Sequence, residues 1–238
     1  MKKIVFLFSS IVMLSLSGCF DKGGNITSYP PMGAIVDFYT DFFQPMIITS
    51  SGTYYAPELI SAMGDLYDGD AIWTVFSINY DQQPSLANYY TVSEMQKVKV
   101  DKDFPRSTPE SEDFDVPIEN MNIVDRVVYE GGDIFFFGFQ QTAPTDQRFI
   151  YEMTYDPNDS DDPPAVYLKA KKEGKGSESS KTYNYPYAFN MRHYFASLPK
   201  DSNKKVKFKI KYYTGEGENP YKEFVDQYGR STLEIEVE

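Results

Sequence analysis

Cys19, the single cysteine of the chain, is the residue whose chemistry the sequence defines most clearly. It follows the apolar segment Ile4–Leu16, which Lys2 and Lys3 precede, as in the charged and apolar regions of a secretory signal. Three residues stand directly before it in a lipobox pattern: Leu16, Ser17 and Gly18. The pattern predicts a lipoprotein signal peptide in residues 1–18. Cleavage after it would leave the Cys19 thiol carrying a diacylglyceryl group through a thioether.

A lipid on Cys19 would hold the chain at a membrane without a spanning helix. A span needs about 20 apolar residues, which is more than Ile4–Leu16 provides. Each buried CH₂ contributes about 0.8 kcal/mol, and stable anchoring takes two acyl chains, which a diacylglyceryl group with an added palmitate-type chain supplies. Phe20 rather than Asp at the second mature position predicts sorting to the outer membrane. Periplasmic and surface-facing orientations both stay open.

Two further candidates for site chemistry give weaker signals. His193 is the only histidine, and one His without Cys partners cannot build a structural zinc site, so we expect a structural or surface residue. The acidic stretch Asp156–Asp162 resembles a calcium loop, but Asp161 stands where an EF-hand needs Gly and Tyr167 where it needs Glu. A solvated connection is favoured there, and calcium binding stays open. The sequence otherwise predicts no catalytic residue, no metal site and no cofactor.

The chain is rich in aromatic residues, with 20 Tyr and 18 Phe. This composition favours strands over helices, and core packing is the preferred explanation for most of these rings. A glycan-binding surface is the alternative, because a glycan-binding groove needs exposed aromatic side chains. The candidate ligand-facing aromatics are Trp73, Tyr183, Tyr185 and Tyr187.

The charge balance excludes one class of partner and leaves the lipid as the anchor. Lys and Arg number 23 against 35 Asp and Glu, a formal net charge of −12. Nucleic-acid binding draws its affinity from cations that neutralise phosphates, so we expect no nucleic-acid partner. Anionic headgroups would repel this chain as well, so the membrane contact depends on Cys19. With that thiol acylated no disulfide can form, and the fold must be stabilised by core burial.

Turn signals and strand-type runs predict an all-β chain with a tether and two domains. Residues 19–33 contain Gly and Pro pairs and are predicted to be the lipidated tether. Residues 34–116 contain apolar runs such as Ile72–Ile78 and a short helical candidate, Pro57–Leu66. The spacing of these elements predicts a small closed barrel of about five strands.

The second domain is predicted to span residues 117–238, after a boundary inside the proline-rich segment Asp103–Glu119. Its clearest signal is a hairpin in which two strand-type runs flank Gly131 and Gly132. These two glycines would supply the positive φ of a primed turn. The sequence therefore predicts that the second domain begins with an antiparallel pair.

Two late segments carry complementary charges. Lysines alternate with apolar residues over 204–213, and glutamates alternate with apolar residues over 231–238. Opposite charges on one solvent face stabilise cross-strand pairs, so we expect these strands to be antiparallel neighbours. With a further strand predicted at Ala188–Ser197, the second half contains about seven strands, which indicates an antiparallel β-sandwich.

Several short motifs together resemble the NigD-like lipoproteins of gut anaerobes. They are the lipobox, the proline-containing tether, the Gly69-Asp70 turn that opens the Ile72 strand, and Met191-Arg192-His193 late in the chain. The chain departs from the family at three positions: Ala71, Met191 and Tyr194. The resemblance implies an N-terminal OB-like barrel, a C-terminal β-sandwich and a bacteriocin-immunity-type role, with no catalytic residues to carry over.

The function predicted from the sequence is that of a non-enzymatic lipoprotein of the cell envelope. Its two β domains would present a binding surface to a protein partner or another envelope component. One alternative is a glycan-binding surface module. Another is a glycosidase-like enzyme, which would require two carboxyl groups facing each other across a cleft.

Overall fold

The protein is described by a computed structural model that covers most of the chain after the N-terminal segment. The described residues are 25–38, 44–62, 64–83, 88–107, 114–144, 146–159, 161–174, 176, 180–215 and 217–237. The described residues are mostly β, with 57% in strands and 8% in helices, and their strands form three sheets.

The structure divides into two compact units. One contains the chain up to Asp101 together with Asp125–Gly131, and the other contains Lys102–Val124 and Gly132–Glu238. The main division therefore falls at Asp101, earlier than the boundary expected between residues 116 and 117. A short segment beyond this division also belongs to the first unit.

The first unit contains one five-stranded antiparallel sheet in the order β3–β2–β1–β4–β5. Its strands are β1 (Ile26–Asp37), β2 (Met46–Thr49), β3 (Gly52–Tyr55), β4 (Ala71–Asn79) and β5 (Ser93–Lys99). The core on one side of this sheet contains a ring cluster in which Phe76 stacks on Tyr29 at 4.8 Å and lies 5.3 Å from Tyr54. Burial of these large rings stabilises the sheet that the alternating sequence predicts.

The prediction of a tether through residue 33 is wrong from Ile26 onward. Residues 26–33 belong to β1 and pair with β4, from Ile26 opposite Asn79 to Gly33 opposite Trp73. The register shifts between Tyr29 and Met32, where the two prolines of the segment lie. A bulge tolerates proline because its residues leave the regular ladder and need no N–H donor there.

The edges of this sheet meet at one point and the described strands do not form a closed barrel. Tyr55 at the end of β3 pairs in parallel with Thr91, just before β5. The Tyr55 N–H donates to the Tyr90 carbonyl at 2.9 Å, and the Val92 N–H donates to the Tyr55 carbonyl at 2.8 Å. The predicted helix between β3 and β4 is present as a shorter 3₁₀ helix, Pro57–Ala62.

The second unit contains two sheets and one α-helix. Its elements are β6 (Lys102–Asp103), β7 (Asn120–Tyr129), β8 (Gly132–Pro144), β9 (Arg148–Thr154), β10 (Ala165–Glu173), β11 (Ser180–Asn190), α1 (Arg192–Ser197), β12 (Lys205–Tyr213), β13 (Tyr221–Glu223) and β14 (Thr232–Glu236). One sheet has the order β6–β11–β8–β7, although the end of β7 from Asp125 belongs to the first unit. The other has the order β13–β12–β10–β9, and β14 also pairs with β12.

Side chains from both sheets of the second unit form a single hydrophobic core. Phe139 of β8 stacks on Tyr151 of β9 with ring centroids 4.0 Å apart, and Phe135 of β8 lies 6.2 Å from Phe208 of β12. The parallel pairing of β10 with β12 contrasts with an all-antiparallel prediction. The remaining ladders of this sheet are antiparallel.

The hairpin predicted around Gly131 and Gly132 is present, but its glycines are required for a different reason. β7 ends at Tyr129 and β8 begins at Gly132, and neither glycine has positive φ. A Cβ on Gly131 would lie 2.5 Å from the Tyr129 ring, and one on Gly132 would lie 2.5 Å from Nδ2 of Asn190. Close approach of neighbouring side chains, and not backbone handedness, therefore explains both glycines.

The predicted strand Ala188–Ser197 is correct as far as Asn190 and wrong beyond it. Strand β11 instead ends at Asn190, and α1 follows with Tyr194 and Phe195 buried in the core. The strand begins at Ser180, earlier than expected, because the prediction did not extend a strand through Pro186. Along the described strands β6 pairs with β11 at residues 188 and 189, so Pro186 has an edge position where its missing N–H is tolerated.

The predicted pairing of the lysine-rich and glutamate-rich strands is confirmed. β12 and β14 are antiparallel, with Lys205 opposite Glu236 and Lys207 opposite Glu234. β13 pairs with the other end of β12 on the same side, so β13 and β14 follow one ladder. The chain leaves this ladder after Phe224, whose N–H donates to the Ile210 carbonyl, and returns at Thr232.

Candidate binding surface

The lipobox and Cys19 lie outside the described residues, so lipidation stays a prediction from the sequence. In the described part of the chain, no helix has the length and apolar character needed to span a bilayer. Trp73 lies next to Ile72 in β4, and its half-buried side chain is on the face opposite that core residue. Trp73 belongs to the first unit, whereas the three candidate tyrosines belong to the second.

The three tyrosines of β11 share one face of the strand, which is directed toward the core. Tyr187 is only 6% exposed and its ring lies 5.4 Å from that of Tyr151. The ring centroids of Tyr185 and Phe149 lie 5.0 Å apart. Burial is the main cause that raises the pKa of Tyr185 to about 12, and the nearby Tyr183 contributes in the same direction. Tyr183 is half-buried with its ring 6.2 Å from Tyr185. Intramolecular packing therefore accounts for these contacts.

The acidic stretch Asp156–Asp162 uses its carboxylates within the protein. The Tyr167 hydroxyl donates to Asp159 at 3.0 Å, and Lys211 pairs with Asp161. The hydrogen bond from Lys211 lowers the pKa of the Asp161 carboxyl. Among the described residues, no group of three or more His, Cys, Asp or Glu side chains is placed to hold a metal ion. His193 is exposed at the start of α1.

The solvent-facing side of β10, β12 and β13 carries a cluster that we call the lysine–tyrosine surface. It consists of Tyr167, Lys169, Lys211, Tyr213 and Tyr221. The alternation of the strands produces it, since the intervening residues of β10 and β12 are buried in the core. Cross-strand register then brings Tyr167 opposite Lys211 and Tyr213 opposite Tyr221.

The contacts within the lysine–tyrosine surface place cations against aromatic rings. Nζ of Lys169 lies 5.7 Å from the centroid of Tyr213 and 5.9 Å from that of Tyr221, and Nζ of Lys211 lies 5.4 Å from that of Tyr167. The Tyr167 and Tyr221 rings meet at 5.3 Å in an edge-to-face arrangement. Such contacts orient the cations by attraction to the ring faces. Lys169 and Lys211 thus hold ammonium groups beside aromatic rings, and Lys211 also pairs with Asp161.

A groove of about 600 Å³ lies further along the same sheet. Its lining residues are Lys205, Lys207, Arg230, Ser231, Thr232 and Glu234. Lys205 Nζ lies 2.8 Å from Oε1 of Glu234, and Lys207 Nζ lies 3.3 Å from Oε2. The hydrogen bond from Lys205 lowers the pKa of Glu234, so this carboxylate is ionised at neutral pH. Two ammonium groups thus share one carboxylate.

One end of the groove is formed by the chain that connects β13 with β14, and Asp226 organises it. Oδ1 of Asp226 accepts hydrogen bonds from the Tyr228 N–H at 2.8 Å and the Arg230 N–H at 2.9 Å. Oδ2 accepts from Nε of Arg230 at 2.8 Å and lies 2.7 Å from Nη2. Gly229 completes the turn with a φ of 78°. Tyr228 is left at the tip with 73% of its surface exposed.

The alternating lysines predicted strand pairing, but their pattern in the sequence did not indicate a site. The parallel neighbour β10, which supplies Tyr167 and Lys169, could not be inferred from local pattern. A signal was available for the turn, because an Asp followed by Gly three positions later is typical of a tight connection. It gives no indication that Arg230 joins Lys205 and Lys207.

Solved structures of Bacteroidetes proteins share the fold of this chain. An uncharacterized protein from Parabacteroides merdae matches with a TM-score of 0.64 and 15% identity over 82% of this chain and 96% of its own. A protein of unknown function (DUF1344) from Bacteroides vulgatus matches with a TM-score of 0.51 and 15% identity, covering 83% of this chain and 90% of its own. These likenesses show a shared fold.

A NigD-like immunity protein from Bacteroides caccae is also among the structural matches. It has a TM-score of 0.47 and 11% identity, and covers 92% of this chain and 100% of its own. No family model matches the sequence, and no curated protein matches it.

Proposed function

We propose that this chain is a lipoprotein of the outer membrane, anchored through Cys19, that binds an acidic envelope component without transforming it. The observation that carries the proposal is the lysine–tyrosine surface. It combines oriented cations with half-buried rings on one sheet, and a chain of net charge −12 would otherwise repel acidic ligands. An immunity-type role, in which the acidic component is a protein antagonist, is the form suggested by the NigD-like resemblance.

We also propose that the first unit has an OB-like architecture and the second unit a β-sandwich architecture. The first unit resembles an OB-like barrel, because the strand order, the 3₁₀ helix between β3 and β4 and the parallel bridge at Tyr55 all agree with that architecture. The second unit resembles a β-sandwich, because two sheets contribute to one core. A rigid sandwich of this kind fixes the spacing of the side chains on its outer faces.

The test compares capture of envelope components by the wild-type lipoprotein and by a Lys169→Gln, Lys211→Gln double variant. Native envelopes carrying each form are crosslinked, and captured components are quantified by mass spectrometry. We expect an acidic component captured by the wild type to fall about fivefold or more in the double variant, because two ring-oriented cations are removed. Capture should also weaken with ionic strength, since exposed charges are screened within about 8 Å at 0.15 M salt.

Lys181→Gln provides the matched control, because Lys181 is an exposed lysine on β11 of the same unit. Lys211 also pairs with Asp161, so thermal melting of the double variant checks that the fold is retained. Equal capture by the wild type, the double variant and the Lys181 variant would contradict the proposal.

A further inference from the structure

The groove at the Lys205 end of β12 collects hydrogen-bond donors from three places in the sequence. Lys205 and Lys207 come from β12, Arg230 from the turn, and Ser231 and Thr232 from the start of β14. Glu234 is the one carboxylate among these lining residues, and Asp226, outside the lining, holds Arg230. Cations and hydroxyl groups dominate the lining, and this pattern selects an anion with several oxygen acceptors.

Donor capacity remains after the internal contacts are counted. An ammonium group has three N–H donors, and Lys205 and Lys207 each use one contact on Glu234. The charges of Asp201 and Glu236 also act on Lys205. The guanidinium of Arg230 is held by Asp226 through Nε and Nη2, which leaves the Nη1 side of its fork. The same contacts fix Arg230 in position, so little side-chain entropy remains to be lost on binding.

An aromatic ring, that of Tyr228, stands beside Arg230 and outside the lining of the groove. The guanidinium carbon of Arg230 lies 5.2 Å from the centroid of the Tyr228 ring, which is largely exposed at the turn tip. An aromatic face carries partial negative charge and attracts the polarised C–H groups of a sugar ring. A group of cations next to an exposed tyrosine therefore fits a ligand that has a phosphate on one side and a sugar ring on the other.

We infer that the groove formed by Lys205, Lys207, Arg230, Ser231 and Thr232 binds the phosphate group of a phosphorylated saccharide, whose sugar ring contacts Tyr228. The inference goes beyond the proposed function, since the groove is a separate site on the same sheet as the lysine–tyrosine surface. Glu234 is the competing anion of the groove. It holds the two lysines in place when the site is empty of ligand.

The role of Glu234 gives a test in which binding should improve. Glucosamine 6-phosphate is titrated into the mature full-length chain by calorimetry. Glu234→Gln should tighten binding about tenfold, because the competing negative charge is removed while the side-chain shape is kept. Lys205→Gln with Lys207→Gln should weaken binding about tenfold or more. Lys181→Gln should leave the dissociation constant unchanged.

Two further probes separate the contribution of the phosphate group to binding from that of the sugar ring. Inorganic phosphate should bind more weakly than glucosamine 6-phosphate, and Tyr228→Ala should remove that difference. Glucosamine without phosphate should not bind. Equal affinity for inorganic phosphate and the phosphosugar, or no gain from Glu234→Gln, would overturn the inference.

Failure of this inference is distinguishable from failure of the proposed function. Loss of phosphosugar binding with continued capture through Lys169 and Lys211 would overturn the inference and leave the binding function standing. Phosphosugar binding without any envelope capture by the lysine–tyrosine surface would support the groove and contradict that surface as the binding site.

Discussion

Asp226 shows how one side chain can define the local structure of a surface site. Its carboxylate accepts from two backbone N–H groups and from the Arg230 guanidinium. The backbone donation from Arg230 is the main reason that the pKa of Asp226 lies below its usual range, with the Arg230 side chain and Tyr228 N–H contributing in the same direction. The exposed Tyr228 and the fixed guanidinium both depend on this residue.

We expect the replacement of Asp226 by Asn to change the pH dependence of stability. A carboxyl whose pKa is lowered by folding stabilises the native state above its ordinary pKa of about 3.9, and this contribution is lost as pH falls through the lowered value. The wild type should therefore melt at a higher temperature than Asp226→Asn at pH 5–7. The two should converge in more acidic solution, below about pH 4.

Thermal melting across this pH range measures the effect, with Asp115→Asn as the control for removal of one exposed carboxylate. Parallel melting profiles for the wild type and Asp226→Asn at every pH would contradict the proposed role of Asp226 in the turn.

At the scale of elements, β8 is the strand on which the second unit is assembled. Its alternate residues Phe135, Phe137 and Phe139 lie in the core and contact rings from other strands. Phe139 is fully buried, with the Tyr151 ring 4.0 Å away. The adjacent strands β11 and β7 are its hydrogen-bonded neighbours in the sheet.

Phe139→Ala should lower the free energy of unfolding by about 3–5 kcal/mol, because a buried ring is lost and a cavity remains beside Tyr151. Urea denaturation at neutral pH measures the loss. Phe104→Ala is the matched control, since Phe104 is 53% exposed and its ring lies 5.7 Å from the Arg106 guanidinium carbon. That change should cost about 1 kcal/mol or less. A similar cost for the two variants would contradict the assignment of Phe139 to the core.

Local pattern predicted some of these elements and failed at others for identifiable reasons. The charges of Lys207 and Glu234 were sufficient to pair β12 with β14, because their alternation fixes both the face and the partner. The first part of β11 was not predicted because it contains Pro186, and a proline is tolerated only at an edge position. That edge position depends on β6, which pairs with β11 only at residues 188 and 189. The parallel pairing of β10 with β12 is a non-local choice that no short window of sequence contains.

For the whole molecule, the relevant feature is the contrast between total charge and local charge. The chain is acidic overall, at −12, yet the lysine–tyrosine surface and the groove concentrate cations on one sheet. That arrangement arises only when β10, β12 and the turn are brought together, so composition alone pointed away from acidic ligands. A negatively charged protein also needs an anchor other than its own surface to stay at an anionic membrane.

The anchoring prediction belongs to this scale and concerns Cys19. Cys19→Ser should abolish incorporation of radiolabelled palmitate and move the protein from the membrane fraction to the soluble fraction, because no thioether can form. Asp21→Asn, a neighbouring substitution that keeps the thiol, should behave like the wild type. Undiminished membrane association of Cys19→Ser in the presence of high salt would contradict the lipid anchor.

The ladder shared by β13 and β14 has a consequence for protein engineering. Because the chain departs from β12 after Phe224 and rejoins it at Thr232, both ends of the excursion are clamped by backbone hydrogen bonds. The excursion tip can therefore be lengthened without disturbing the register on either side. A short epitope or a fluorophore attachment sequence grafted at Tyr228 would be displayed to the surroundings and would report which compartment the protein body faces.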